Sequence, residues 1–143
     1  MALMETCVAP ILMAGALFTL HPNASHTANR DAAYLEVQSC RNGLGAHALA
    51  STTEFYAGGI QYGVAFAVSD AVTVTLQPFV GGSVTTRTER QLPLGAQFET
   101  GVNAIVSYGG WSIGAKWLHA SNAGLKSPNI GVDWLGVFVG RQF

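Results

Sequence analysis

Charge is what this sequence has least of: seven Lys or Arg and eight Asp or Glu, 10% of 143 residues against 49% hydrophobic ones. Soluble domains carry about 25% charged residues, so this chain is too apolar for a typical soluble surface. The charges form no basic cluster and sum to −1, which removes the electrostatic footprint of nucleic-acid binding. Cysteine is scarce too, with Cys7 and Cys40 alone. If the N-terminal segment is removed one thiol remains, too few for an intramolecular disulfide or a Cys-based metal set, so neither metal nor cofactor is expected. Beyond Leu20 no apolar run approaches the ~18–20 residues of a membrane-spanning helix. Something other than a helix must explain the greasy composition.

The N-terminus raises a separate question. Residues 8–20, VAPILMAGALFTL, have the length of a signal-peptide core and precede the polar HPNASHTA, although residues 1–6 carry Glu5 and no Lys or Arg. This reads as an export signal over residues 1–28, followed by one domain over residues 29–143. His21 and His26 would leave with the signal.

What the sequence does have is alternation. Tyr56, Ile60, Tyr62, Val64, Phe66 and Val68 share one parity, while Ala57, Gly59, Gln61, Gly63, Ala65 and Ala67 take the other. That is the period of a strand, with one large apolar face and one small or polar face. After the turn at Ser69-Asp70-Ala71 the same period runs through Val72, Val74, Leu76 and Val80. It resumes at Phe98, Val102, Ala104, Val106 and Tyr108, set against Gln97, Glu99, Asn103 and Ser107. Gly109-Gly110 makes a tight hairpin turn, since glycines adopt the positive φ such turns need. Trp111, Ile113, Ala115 and Trp117 follow on one parity.

Short turns alternate with long connections along the chain. Apolar outer faces, small or polar inner faces, aromatics near strand ends and this turn asymmetry together describe an all-β, antiparallel, up-and-down outer-membrane β-barrel. A soluble sandwich or lipocalin-like barrel would need many outward charges, which these strands lack. The C-terminal Phe143, with Val139, Val137 and Leu135 on its parity, resembles the signal by which such barrels are recognised for insertion. Six strands are readable, at residues 33–41, 53–68, 72–86, 96–108, 111–121 and 131–142. A closed membrane barrel takes at least about eight, so further strands must come from residues 42–52, with Asn42-Gly43 as a turn, or from the first 28.

The chemistry is concentrated in residues 116–134, KWLHASNAGLKSPNIGVDW. If Gly109-Gly110 faces the periplasm, the following strand runs outward. His119 and Ser121 then lie at its outer end on the lipid-facing parity, and Asp133 shares the outward parity of Leu135 and Val137. Residues i and i+2 of a strand share a face, and a neighbouring strand can bring Asp133 alongside. Acyl transfer needs this set: Ser121 Oγ as nucleophile, His119 as base and then acid, and Asp133 to orient and stabilise the imidazolium. The loop between them supplies N–H groups for an oxyanion.

The stretch HASNAG at residues 119–124, with SPNIGVD at 127–133, resembles the PagL-type lipid A 3-O-deacylases, small outer-membrane barrels of the acyloxyacyl hydrolase class. The resemblance is specific over residues 111–143. It places the family's His-x-Ser pair on His119 and Ser121 and its acidic member on Asp133, one methylene shorter than the glutamate of the best-known relatives. Oxyanion or substrate-binding roles fall on Asn122, Gly124 and Asn129. It implies eight strands and an esterase that removes the 3-O-linked acyl chain of lipid A in the Gram-negative outer membrane. Lipopolysaccharide and membrane lipids are the implied partners, and a homodimer is left open.

The remaining polar residues read as structural. Lys116 points inward and neutralises Glu99 or another inner carboxylate. Lys126 is a solvated loop lysine or a phosphate contact, His47 a polar loop residue, Asp70 a turn residue, and Arg87, Glu89 and Arg90 a solvated loop. Two other functional readings fit the sequence: a non-enzymatic small barrel or inactive relative, working through its loops, and a soluble or phage-borne relative acting on host lipopolysaccharide.

Overall fold

In hydrocarbon every backbone N–H and C=O must find a partner, and a free sheet edge offers none. The chain meets this demand by closing its sheet. The structure, a computed structural model, describes residues 3–4, 10–20, 30–41, 43–86, 95–125 and 131–143. In chain order the strands are β1 (Leu3–Met4), β2 (Ile11–Thr19), β3 (Ala32–Arg41), β4 (Leu44–Ser51), β5 (Phe55–Tyr62), β6 (Val64–Ala67), β7 (Val72–Thr85), β8 (Ala96–Tyr108), β9 (Trp111–Ser121) and β10 (Val132–Gln142). β5 and β6 are one barrel strand, since both pair with β7 in the same register, Gln61↔Phe79 and Val64↔Leu76. The break falls beside Pro78, which has no N–H for the ladder, and Gly63 N instead donates to Gly43 O at 2.8 Å. From β2 onward each barrel strand pairs with the next, and β10 returns to β2. The result is a closed antiparallel barrel of eight strands, with β1 added on β6.

Two of the eight were not readable as strands. Ile11–Thr19, expected to lie in an export signal, is β2, paired with β3 on one side and β10 on the other. Its alternation is hidden because both faces are apolar: Met13 and Leu17 fill the interior while Leu12 and Phe18 face outward. β4 is the hairpin arm after Gly43, whose φ of 81° suits the turn.

Following cross-strand partners around the barrel from Ser121 leads through Phe98, Gly82, Gly58, Ala48, Val37, Leu12 and Arg141 back to β9 at Trp111, ten residues along. A stagger of that size over eight strands corresponds to a strand tilt of roughly 40°. The outer face is apolar, with Leu35, Ile60, Val80, Ile113 and Val137 each at least half exposed. Tyr62, Tyr108, Trp111 and Phe143 project at the end with the tight turns, where an aromatic girdle belongs. The positive φ values of Gly109 (56°) and Gly110 (79°) fit the expected hairpin. At residues 69–71 the turn is closed by Ser69 Oγ, which accepts from Ala71 N and Val72 N at 3.3 and 3.2 Å.

The interior is filled. Met13, Leu17, Tyr34, Phe55, Phe79, Leu118, Trp134 and Phe138 form a buried cluster, and a polar network threads it. Lys116 points inward as expected and pairs at 2.8 Å with an inner carboxylate, Glu36 rather than Glu99, and its ammonium lies 4.5 Å from the centre of the Phe79 ring. Glu36 also accepts from Gln38 at 2.6 Å. Glu99 is taken by His47 at 2.6 Å. His47 is thus not a loop residue: it sits on β4 facing inward, because that Gly/Ala-rich segment is a strand. The large cost of burying charge is met here by close pairing and hydrogen bonds.

Removing one partner of a buried ion pair strands the other. Glu36→Gln is expected to destabilise the barrel by about 3–5 kcal/mol, read as a lower urea midpoint for refolding into lipid vesicles. An unchanged midpoint would mean that Lys116 is held without its counter-ion.

Candidate functional site

The outer ends of β9 and β10 bring two of the expected residues, His119 and Asp133, into contact. His119 and Asp133 are direct cross-strand partners. Asp133 O accepts from Leu20 N at 2.8 Å, so the Asp133 backbone points toward β2 and away from β9. The His119–Asp133 pair is therefore a non-hydrogen-bonded one, the closer of the two antiparallel pairings, with Cα atoms about 4.5 Å apart. That spacing suits a short side-chain contact, and His119 Nδ1 lies 3.0 Å from Asp133 Oδ1. The side chains are 29% and 40% exposed, facing outward at the barrel's rim. Trp117, two residues earlier on the same face, stacks on His119 with ring centroids 6.3 Å apart and 24° between planes.

Ser121 ends β9 on the same outward parity as His119 and is half-buried. On its far side it pairs with Phe98, while His119 pairs with Thr100. Beyond Ser121 the chain leaves strand geometry, with Ala123 at φ 52° and Gly124 at φ 83°. Asn122 is buried, and its Oδ1 accepts from Gly124 N at 2.9 Å, an Asx-type turn. The Gly124 N–H, expected as an oxyanion donor, is thus engaged by Asn122. Asn129 and Lys126 lie outside the described residues, as do Arg87, Glu89 and Arg90.

Several supports of this site had no sequence signal. Arg30 N donates to Thr19 Oγ1 (2.9 Å) and Thr19 N to Asp31 Oδ1 (2.7 Å), pinning β2 to β3 at the rim. Trp134 Nε1 donates to Arg30 O at 3.2 Å, anchoring the residue after Asp133. The first two involve Thr19 of β2, whose strand pattern the sequence does not show. Gly131, beside Ser121 and His119, could have been noticed only as a glycine two residues before the acid.

The arrangement can orient an imidazole through Nδ1 beside a serine, at a membrane-facing rim, which is what acyl transfer requires. A family model described as Lipid A 3-O-deacylase (PagL) matches residues 26–142. The chain belongs to the PagL family. Its fold agrees: the crystal structure of the outer membrane enzyme PagL superposes with a TM-score of 0.68 at 15% identity, covering 93% of this chain and 99% of that one. A de novo designed transmembrane β-barrel gives 0.55 at 9% identity, covering 98% and 100%. No curated protein sequence matches. As a PagL barrel, the protein is an outer-membrane protein.

Asp133→Ala is expected to free the His119 ring without loosening the barrel. The downfield Nδ1–H proton resonance should disappear from the NMR spectrum of the micelle-embedded protein while gel heat-modifiability is retained. Persistence of that resonance would mean that another group holds Nδ1.

Proposed function

We propose that this protein is an outer-membrane esterase that hydrolyses the 3-O-linked acyl chain of lipid A, using Ser121, His119 and Asp133. The observation that carries the reading is the 3.0 Å contact of His119 Nδ1 with Asp133, on the outward face beside Ser121. Ser121 Oγ attacks the ester carbonyl carbon as His119 Nε2 takes its proton. The tetrahedral intermediate collapses by breaking the bond to the sugar oxygen, which receives that proton from His119. Water, deprotonated by the same imidazole, then releases the fatty acid and regenerates Ser121. Asp133 holds the ring and stabilises its cationic form.

Location supports the reading as well as chemistry. A charged side chain on the lipid face costs ~2–4 kcal/mol near the bilayer midplane and much less at the interface. A rim position keeps Asp133 affordable and lets a lipid reach Ser121 by lateral movement within the outer leaflet. Charge on the oxyanion would be met by donors of the loop after Ser121, among which Gly124 and Asn129 are carried by the resemblance and Asn122 is a further loop amide. Gly124 N–H would have to leave Asn122 Oδ1 to serve. A non-enzymatic barrel would be favoured by Ser121 and Asp133 on opposite faces or too far apart for His119 to bridge; both face outward, and His119 contacts Asp133.

The test is expression in a Gram-negative host whose lipid A carries a 3-O-acyl chain, with lipid A mass spectra beside those of Ser121→Ala and His119→Ala. The wild type should remove one acyl group. Each variant should lose at least about a thousandfold in rate while the barrel stays folded. Full activity in either variant would overturn the assignment.

A further inference from the structure

Gly131 is the residue before β10. Extending the register one step beyond Val132↔Ala120 sets it opposite Ser121. A Cβ built there would lie 3.0 Å from His119 Cε1, 3.2 Å from Ser121 Cβ and 2.9 Å from Ala120 O. All three are closer than ordinary carbon contacts, which begin near 3.5 Å. The two side chains of the proposed reaction therefore flank one point, and only the lack of a side chain on Gly131 keeps that point clear.

The ring's other contact gives this meaning. Nδ1 is held by Asp133, one residue pair further along the same face. An imidazole fixed at Nδ1, with Cε1 3.0 Å from where a Cβ would sit, carries its second nitrogen on the ring atom adjoining Cε1. We propose that Gly131 is a positioning residue for the reaction: by lacking Cβ, it lets the His119 ring lie between Asp133 and Ser121. This inference rests on the Ser121–His119–Asp133 reading.

The alternative is that glycine serves the backbone alone, because Gly131 has φ 72°, a region that side chains other than Asn and Asp rarely adopt. The two demands separate cleanly. Ala adds a Cβ and opposes the positive φ, whereas Asn adds the same Cβ and tolerates that φ.

The experiment uses full-length protein in micelles with purified 3-O-acylated lipid A as substrate. Gly131→Ala and Gly131→Asn are compared with wild type for kcat, KM, gel heat-modifiability and the His119 Nδ1–H resonance, with Ser121→Ala alongside. Both Gly131 variants should lose kcat by about ten- to a hundredfold, the scale of a small misplacement of a reacting group. KM should stay within about twofold, the barrel should remain folded, and the resonance should move. Wild-type kcat in Gly131→Asn would overturn the proposal in favour of a backbone role, and so would wild-type kcat in Gly131→Ala. A raised KM at unchanged kcat, or failure of both variants to fold, would overturn it too. Activity persisting in Ser121→Ala would instead condemn the catalytic reading, a result the Gly131 variants cannot mimic.

Discussion

Closure of the sheet in a solvent without hydrogen bonds is the constraint on which everything else here depends. The seam is closed by β2, which takes β3 on one side and β10 on the other. At its outer end the Leu20 amide bonds to the Asp133 carbonyl. That bond turns the Asp133 backbone away from β9 and so selects the closer kind of cross-strand pair for His119 and Asp133. The proposed catalytic contact is in this sense a by-product of how the barrel shuts. The rim bonds among Thr19, Arg30, Asp31 and Trp134 hold the same corner.

Closure also sorts the charges. Among the described residues, Arg30, Glu36, Glu99 and Lys116 are buried inside, and Asp31, Glu54, Asp70, Asp133 and Arg141 stand toward the ends. Inside, low dielectric makes an isolated charge prohibitive, so each must be answered at close range, as Lys116 is by Glu36 and Glu99 by His47. Outside, lipid forbids charge except at the interface. A site that must combine a carboxylate, an imidazole and access for a lipid therefore has few places to be, and the outer rim satisfies all three demands.

The same physics decides what was legible in the sequence. A strand with lipid on one face and small or polar residues on the other announces itself by parity, as Tyr56 to Val68 and Phe98 to Tyr108 do. Parity likewise placed His119, Ser121 and Asp133 on one face, and the resemblance of HASNAG pointed to the family. β2 shows no period because its inward residues, Met13 and Leu17, are as apolar as its outward ones, so the segment reads as a signal core. β4 and its His47 are not legible because glycine and alanine carry too little contrast between faces. Pairing partners inside the barrel could not be read at all: parity says that Lys116 points inward, but only register brings Glu36 rather than Glu99 to it.

Rigid strands and irregular rim divide the work at the site. His119 and Asp133 stand within strands, where register and the ladder fix them, while Ser121 occupies the last strand position before the backbone turns through Ala123 and Gly124. A non-glycine residue at positive φ costs of order 1 kcal/mol or more, and Ala123 bears such a conformation. A barrel in which β9 and β10 are each paired on both sides can support that cost locally without opening. The imidazole and its carboxylate therefore need no help from the loop to find each other. What the loop controls is the space around Ser121, bounded on one side by the Asn122 turn and on the other by Gly131.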